Sequence, residues 1–148
     1  RIIWGLLIAV LLLFLASLLV PYFHDKWISK RIQEEAKKAR PDFQFLSSLA
    51  LDEGVHPCLR TMAVEIIVQR GGDEEVLGIL DIIGRSEATS VPQVVYLQLL
   101  RSQWESGKLS DRTVSRIISA ALERGAPDIR DLCRKLFAGT GIIPNTKR

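Results

Sequence analysis

From Ile2 to Phe23 the chain carries no Asp, Glu, Lys or Arg, and a run of that kind permits very few structures. Ile2 to Val20 is nineteen residues of aliphatic, alanine and aromatic types, broken only by Gly5 and Ser17. In hydrocarbon every backbone N–H and C=O must be paired inside the segment, which a helix achieves. At 1.5 Å per residue such a helix crosses a layer of about 30 Å. Residues 2–23 therefore predict one transmembrane helix. Trp4 at one end and Tyr22, Phe23 and Trp27 at the other fall where amphipathic rings favour the membrane–water boundary. Pro21 stands where it would kink or end the helix. A cleaved signal peptide is the competing reading, but its apolar region is usually about 7–15 residues and is followed by an Ala-x-Ala pattern. This run is longer and lacks that pattern, so a permanent anchor is expected.

Two small residues four apart, Gly5 and Ala9, share a helix face and would let a second transmembrane helix approach closely. Leu6, Leu7, Leu11, Leu13 and Phe14 are left to face lipid.

Charge divides the chain at the same place. Between His24 and Arg40 stand Lys26, Lys30, Arg31, Lys37, Lys38 and Arg40 against Asp25, Glu34 and Glu35, a net of +3. Residues 41–148 hold thirteen basic and fourteen acidic side chains, a net of −1. The pI near 9.1 is thus made beside the apolar run, which points to lipid headgroups and away from nucleic acid. Trp4, Tyr22, Lys26, Trp27, Lys30 and Arg31 are the candidate membrane-interface residues. One basic residue precedes the run and six follow it, so the tendency of Lys and Arg to stay inside predicts a cytoplasmic C-terminal domain.

Ile28, Ile32, Ala36 and Ala39 recur three and four apart, the stripe of an amphipathic juxtamembrane helix over residues 24–40. Glu34 and Lys38 are placed to pair across one turn. Such a helix reads either as a membrane-surface or partner-binding element or as a solvated stalk. In either case a cut after Arg40 is expected to leave residues 41–148 folded.

Beyond Arg40 the punctuation is regular. Asp42 caps a segment running to Gly54, Pro57 opens one ending before Gly71, and Asp73 caps one stopping near Gly84. Pro92 opens a fourth to Gly107, Ser110 caps a fifth to Gly125, and Pro127 opens a sixth to Gly139. Proline suits the first helical turn and glycine the position just past the last. Apolar residues inside the segments keep helical spacing, as in Leu59, Met62, Ala63, Ile66 and Ile67. The expectation is an all-α fold, with a helical repeat domain over 41–139 and a C-terminal tail over 140–148.

Pro57, Pro92 and Pro127 are 35 residues apart each time. Two positions on stand Leu59, Val94 and Ile129; five positions on stand Met62, Leu97 and Leu132. A helix pair per period of this size marks an α-solenoid, in which each pair buries its apolar face on the next. The stretch His56-Pro57-Cys58-Leu59-Arg60, continuing through Ala63 and Ile66 to Gly72-Asp73-Glu74-Glu75-Val76, Leu80 and Ile83, resembles a HEAT-like repeat of the phycobilisome-lyase type. Ala126-Pro127-Asp128-Ile129-Arg130 resembles the same opening. The middle unit departs from it, with Val95 where Arg is expected and Lys108-Leu109-Ser110 lengthening its turn. The resemblance implies about three stacked helix pairs, with Pro57, Arg60, Pro92, Pro127 and Arg130 defining the repeat, and it implies protein–protein contact in place of catalysis.

Chemistry is sparse. Asp52, Glu53 and His56 are the one acid–histidine cluster, and their places around Gly54 and Pro57 suit helix ends better than a metal or acid–base site. His24 beside Asp25 reads as an interfacial residue, and Trp104 as core packing or a partner anchor. Cys58 and Cys133 suit buried thiols or a bridge. No phosphate-binding glycine loop, cofactor motif or small-molecule site is evident. The function expected is a membrane-anchored, non-catalytic scaffold or accessory subunit of a complex of integral membrane proteins. The alternatives are a membrane-bound enzyme or cofactor-handling protein and a lipid-headgroup-binding regulator.

Overall fold

A computed structural model describes residues 2–85 and 90–143. Within them lie seven α-helices: α1 (Ile2–Lys37), α2 (Phe43–Leu51), α3 (Pro57–Arg70), α4 (Asp73–Leu77), α5 (Val91–Glu105), α6 (Asp111–Arg124) and α7 (Pro127–Leu136). A 3-10 turn, Leu80–Ile82, follows α4, and no strand occurs among the described residues.

The caps follow the sequence closely. Asp42 accepts a hydrogen bond from the Phe45 amide at 3.1 Å, and the Ser110 hydroxyl accepts one from the Thr113 amide at 3.3 Å. Pro57 and Pro127 begin their helices; Pro92 is the second residue of α5, which Val91 opens. Gly107 takes φ +78 after α5, and the Lys108 amide then reaches back to the Gln103 carbonyl at 3.0 Å. A side chain on Gly125 would place its Cβ 2.3 Å from the Ala121 carbonyl oxygen, so only glycine permits the close turn that ends α6.

The third segment departs from the expected pattern. Its cap is Gly72, and Asp73 is the first helical residue; the Asp73 carboxylate accepts from the Ser110 amide at 3.1 Å, joining α4 to the start of α6. The helix stops at Leu77, because Gly78 and the 3-10 turn replace its expected second half. The residue pair Gln93 and Tyr96 exploits that interruption. Gln93 donates to the Ile82 and Arg85 carbonyls at 2.8 and 2.9 Å, and the buried Tyr96 hydroxyl donates to the Val76 carbonyl at 2.7 Å. Carbonyls that a continuous helix would have paired internally are satisfied from α5.

Helix α3 packs against α1, α2 and α5; α5 packs in turn against α7, and α6 packs against α4, α5 and α7. Thus α5 lies between the other two proline-opened helices. Leu59, Leu97 and Ile129 are buried, while Met62, Val94 and Leu132 at the related positions are half-buried. Met62 therefore sits at the margin of the core and not in it with Leu59 and Ile66.

Helix α1 requires the largest correction. It runs unbroken through Pro21 to Lys37, so the membrane-like run and the juxtamembrane segment are one element. Proline removes one i→i−4 bond and crowds the preceding turn, yet neighbouring turns carry the helix across. The buried stripe is Ile28, Ile32 and Glu35; Ala36 and Ala39 are exposed. Residues 28–35 are neither stalk nor free surface helix but one wall of the core. The start of the C-terminal tail is also packed. Thr140 donates to the Phe137 carbonyl at 2.7 Å, Ile142 and Ile143 lie against the core, and residues 144–148 fall outside the described residues.

A cut at Arg40 therefore removes core side chains. Burial of Ile28 and Ile32 is worth about 1.5–3 kcal/mol each. A chain beginning at His24 should melt cooperatively and well above one beginning at Pro41, as followed by circular dichroism. Equal melting temperatures would show that α1 contributes nothing to the core.

A candidate membrane-facing site where the first helix meets the domain

Along its first five turns α1 is exposed on every side. Every described residue from Ile2 to His24 is exposed, including Leu12 and Phe14 at 61% each. By length and composition this helix can cross a membrane. Gly5 and Ala9 lie on this bare part, and no atom comes within 4 Å of where a Cβ on Gly5 would sit. Trp4, Tyr22, Lys26, Trp27 and Lys30 are all exposed, and Arg31 is half-buried.

The bare helix becomes a packed one within about two turns, and charged side chains make the change. The Arg31 guanidinium lies 3.9 Å from the Phe45 ring centre on α2 and 5.6 Å from that of Trp27. Glu35, 2% exposed, accepts from the Lys38 ammonium and from the Asp42 amide at 2.7 Å. The partner of Lys38 is thus Glu35, three residues back, and not the expected Glu34. Arg70, the last residue of α3, donates to the Ala36 and Lys38 carbonyls at 2.6 Å each and to that of Ala39 at 3.3 Å. The open C-terminal carbonyls of α1 are thereby capped by another helix, and Glu35 fixes the turn into α2.

Because Arg70 ends α3 beside Ala36–Ala39, α3 must begin far up α1. Its first residues, Cys58 and Leu59, line a cleft with Tyr22, Lys26 and Ser29. The two helices run in the same direction. The α2–α3 loop then faces Val20, Pro21, His24 and Asp25 across a cleft. That loop is well tied: Asp52 accepts from the Gly54 amide at 2.9 Å, Val55 is buried, and Glu53 lies 3.7 Å from Arg85. Arg85 also donates to the Leu51 carbonyl. His56 Nδ1 accepts from the Cys58 amide at 3.2 Å, capping α3.

The fold brings both histidines to this junction, which their 32-residue separation in the chain conceals. His24 Nδ1 stands 3.9 Å from Asp25, and His24, Asp25, Glu53 and His56 border one cleft of about 470 Å³. Among the described residues no group of three or more His, Cys, Asp or Glu is close enough to hold a metal ion. Asp52, Glu53 and His56 each hold a turn, a salt bridge or a cap.

The other residues singled out from the sequence have structural places. Arg60 is buried and its Nε donates to the Ala50 carbonyl at 3.0 Å, joining α3 to the end of α2; Arg130 is half-buried on α7. Trp104 donates to Asp111 at 2.7 Å and lies 6.0 Å from the Phe137 ring. Both cysteines are free thiols. Burial pushes the Cys133 thiol up to about 11, whereas Cys58 is exposed, against the expectation of two buried thiols or a bridge.

Glu35, Arg70, Gln93 and Tyr96 were not marked by any motif, since each acts on a backbone group remote in sequence or across a turn.

The hydrogen bonds from Lys38 and Asp42 favour the ionised form of Glu35 and hold its carboxyl below the ordinary value of 4.5, outweighing the opposing effect of burial. The Ser110 amide does the same for Asp73. A carboxyl depressed in the folded state stabilises above its unfolded value and loses that contribution as pH falls through the folded one. Melting temperature should therefore fall with acid below about pH 4.5, and Glu35→Gln should flatten that decline while lowering stability at neutral pH. An acid profile unchanged in Glu35→Gln would show that this carboxylate does not hold the junction.

No protein-family model, characterised protein or solved structure matches this chain.

Proposed function

We propose that the chain is a single-pass, membrane-anchored, non-catalytic scaffold or accessory subunit of a larger membrane protein complex. The observation that carries this reading is α1 itself. One unbroken helix presents about twenty exposed, uncharged residues at one end and core residues of a helical domain at the other. Exposed apolar surface on that scale requires a cover, and a lipid bilayer with neighbouring integral membrane subunits supplies one. A cleaved leader fits less well, because the helix continues into Ile28 and Ile32, which the domain uses as core. The six Lys and Arg that follow the apolar run support placing the domain on the cytoplasmic side.

For the soluble surface, a HEAT-like stack is the reading that the 35-residue proline spacing supports. The packing of α5 between α3 and α7, and of α4 against α6, agrees with helix pairs laid side by side. The truncated α4 makes the first pair irregular. Such surfaces bind partners by shape along an extended face. The absence of a cofactor or catalytic role is part of the same proposal.

Purification of the full chain in mild detergent tests the reading. A stoichiometric set of integral membrane proteins should accompany it, and Gly5→Leu with Ala9→Leu should reduce their recovery without changing insertion. A solitary protein would overturn the subunit role. Protease added to sealed right-side-out vesicles should leave the domain intact; digestion would reverse the topology.

A further inference from the structure

Helix α3 packs against both α1 and α5, and contacts at its two ends show that all three run in one direction. At the far end, Arg70 ties the close of α3 to the carbonyls of Ala36, Lys38 and Ala39 on α1. Asp73, just past α3, accepts from the amide of Ser110, in the turn that follows α5. At the near end, Glu53 to Pro57 share a cleft with Val20, Pro21, His24 and Asp25. Arg85 donates to the Leu51 carbonyl and lies 3.7 Å from Glu53. The Arg85 carbonyl in turn accepts from Gln93, near the start of α5, at 2.9 Å. The starts of α3 and α5 are therefore gathered at one end of the domain, beside Val20–Asp25.

That position becomes a depth if α1 spans a bilayer, and this inference rests on that reading. As a helix, Ile2 to Val20 extends about 28 Å against a hydrocarbon layer of about 30 Å. A run with no surplus length is not made to tilt, so it stands near the membrane normal and leaves the hydrocarbon near Pro21. Val20 to Asp25 then covers about 7 Å more, and the headgroup layer on each side is about 5–8 Å thick. The loop that faces those residues falls in the same layer. It is held there because α1 continues unbroken into Ile28 and Ile32 of the core.

The side chains at this end suit that layer. Val91, which opens α5, is 51% exposed, and among the described residues it is the one large hydrophobic side chain left so open outside α1. Two acids nearby each have an arginine beside them. Glu53 has Arg85, and Asp81, in the 3-10 turn whose Ile82 carbonyl Gln93 holds, lies 3.8 Å from Arg124. An arginine so placed weakens the repulsion between an acid and lipid phosphates. We propose that the domain stands on the bilayer surface through this end, with the Glu53–Pro57 loop in the headgroup layer and Val91 against lipid. The opposite end, where Lys108 is exposed between α5 and α6, faces water and is the end left open to a soluble partner.

Spin-label accessibility tests this in the full chain reconstituted into phospholipid vesicles, with Cys58→Ser and Cys133→Ala removing the native thiols. Labels are carried by Leu12→Cys, Val91→Cys or Lys108→Cys, all at exposed positions, so that no packed side chain is displaced. Collision rates with oxygen, which concentrates in lipid, are compared with those of a water-soluble nickel chelate. Leu12→Cys should be open to oxygen and shielded from nickel, and Lys108→Cys open to nickel. At Val91→Cys nickel collisions should fall severalfold below those at Lys108→Cys while oxygen collisions rise. Equal nickel access at Val91→Cys and Lys108→Cys, with Leu12→Cys still shielded, would overturn the membrane-facing end and leave the anchor standing. Nickel access at Leu12→Cys would refute the anchor and this inference with it. Shielding of Val91→Cys from both reagents would mean that a second copy covers it, and would overturn lipid contact.

Discussion

Helix α1 ends with carbonyl groups that must find donors, and Arg70 supplies them. Its guanidinium holds the carbonyls of Ala36, Lys38 and Ala39, while Glu35 draws the Asp42 amide and the Lys38 ammonium onto the same turn. That clamp joins the ends of α1 and α3. It makes α3 lie alongside α1, so the start of α3 and the Asp52–His56 loop come to rest beside Pro21 and Tyr22. It also makes α1 part of the core through Ile28 and Ile32. No flexible tether intervenes, so the orientation of the domain is set by the axis of the first helix.

The rest of the domain repeats the same economy with other side chains. At the ends of α2, α4 and the 3-10 turn, a polar residue on the next proline-opened helix takes up a carbonyl: Arg60 for Ala50, Tyr96 for Val76 and Gln93 for Ile82. A buried carbonyl left without a donor costs about 1–3 kcal/mol, so these bonds fix which helices are neighbours more sharply than apolar contact alone. A domain of short helices needs such devices, because five to fifteen residues per helix offer little cooperative stability of their own.

Much of this was legible in the sequence. The uncharged run, the Asp42 and Ser110 caps, the prolines at helix starts and the glycines at helix ends all act over three or four residues, and local chemistry decides them. What could not be read is what depends on a distant partner. Pro21 looks like a helix terminator until the packing of the following turns supplies a reason to continue. Ala36 sits in the apolar register but is passed over, since the turn into α2 places Glu35 inward, where the Asp42 amide meets it. The interruption after Leu77 is likewise a tertiary choice, favoured by Tyr96 and Gln93. At the candidate site the basic and aromatic residues of α1 were visible as a set. The cleft partner His56 was visible only as a helix cap, because nothing local to it indicates that α3 starts beside Tyr22.

The continuity of α1 through Pro21 makes the apolar helix and the domain one rigid body. It is tested most directly by a pulsed electron–electron spin distance between labels at Leu12→Cys and Glu123→Cys in bilayers, with Cys58→Ser and Cys133→Ala removing the native thiols. Leu12 lies on the bare half of α1 and Glu123 on the exposed face of α6, so the measured vector crosses both the proline and the clamp. A single narrow distance distribution is expected, broadening in Arg70→Ala. A broad or multimodal distribution in the chain with Arg70 intact would mean that Pro21 is a hinge and that the domain swings freely from its anchor.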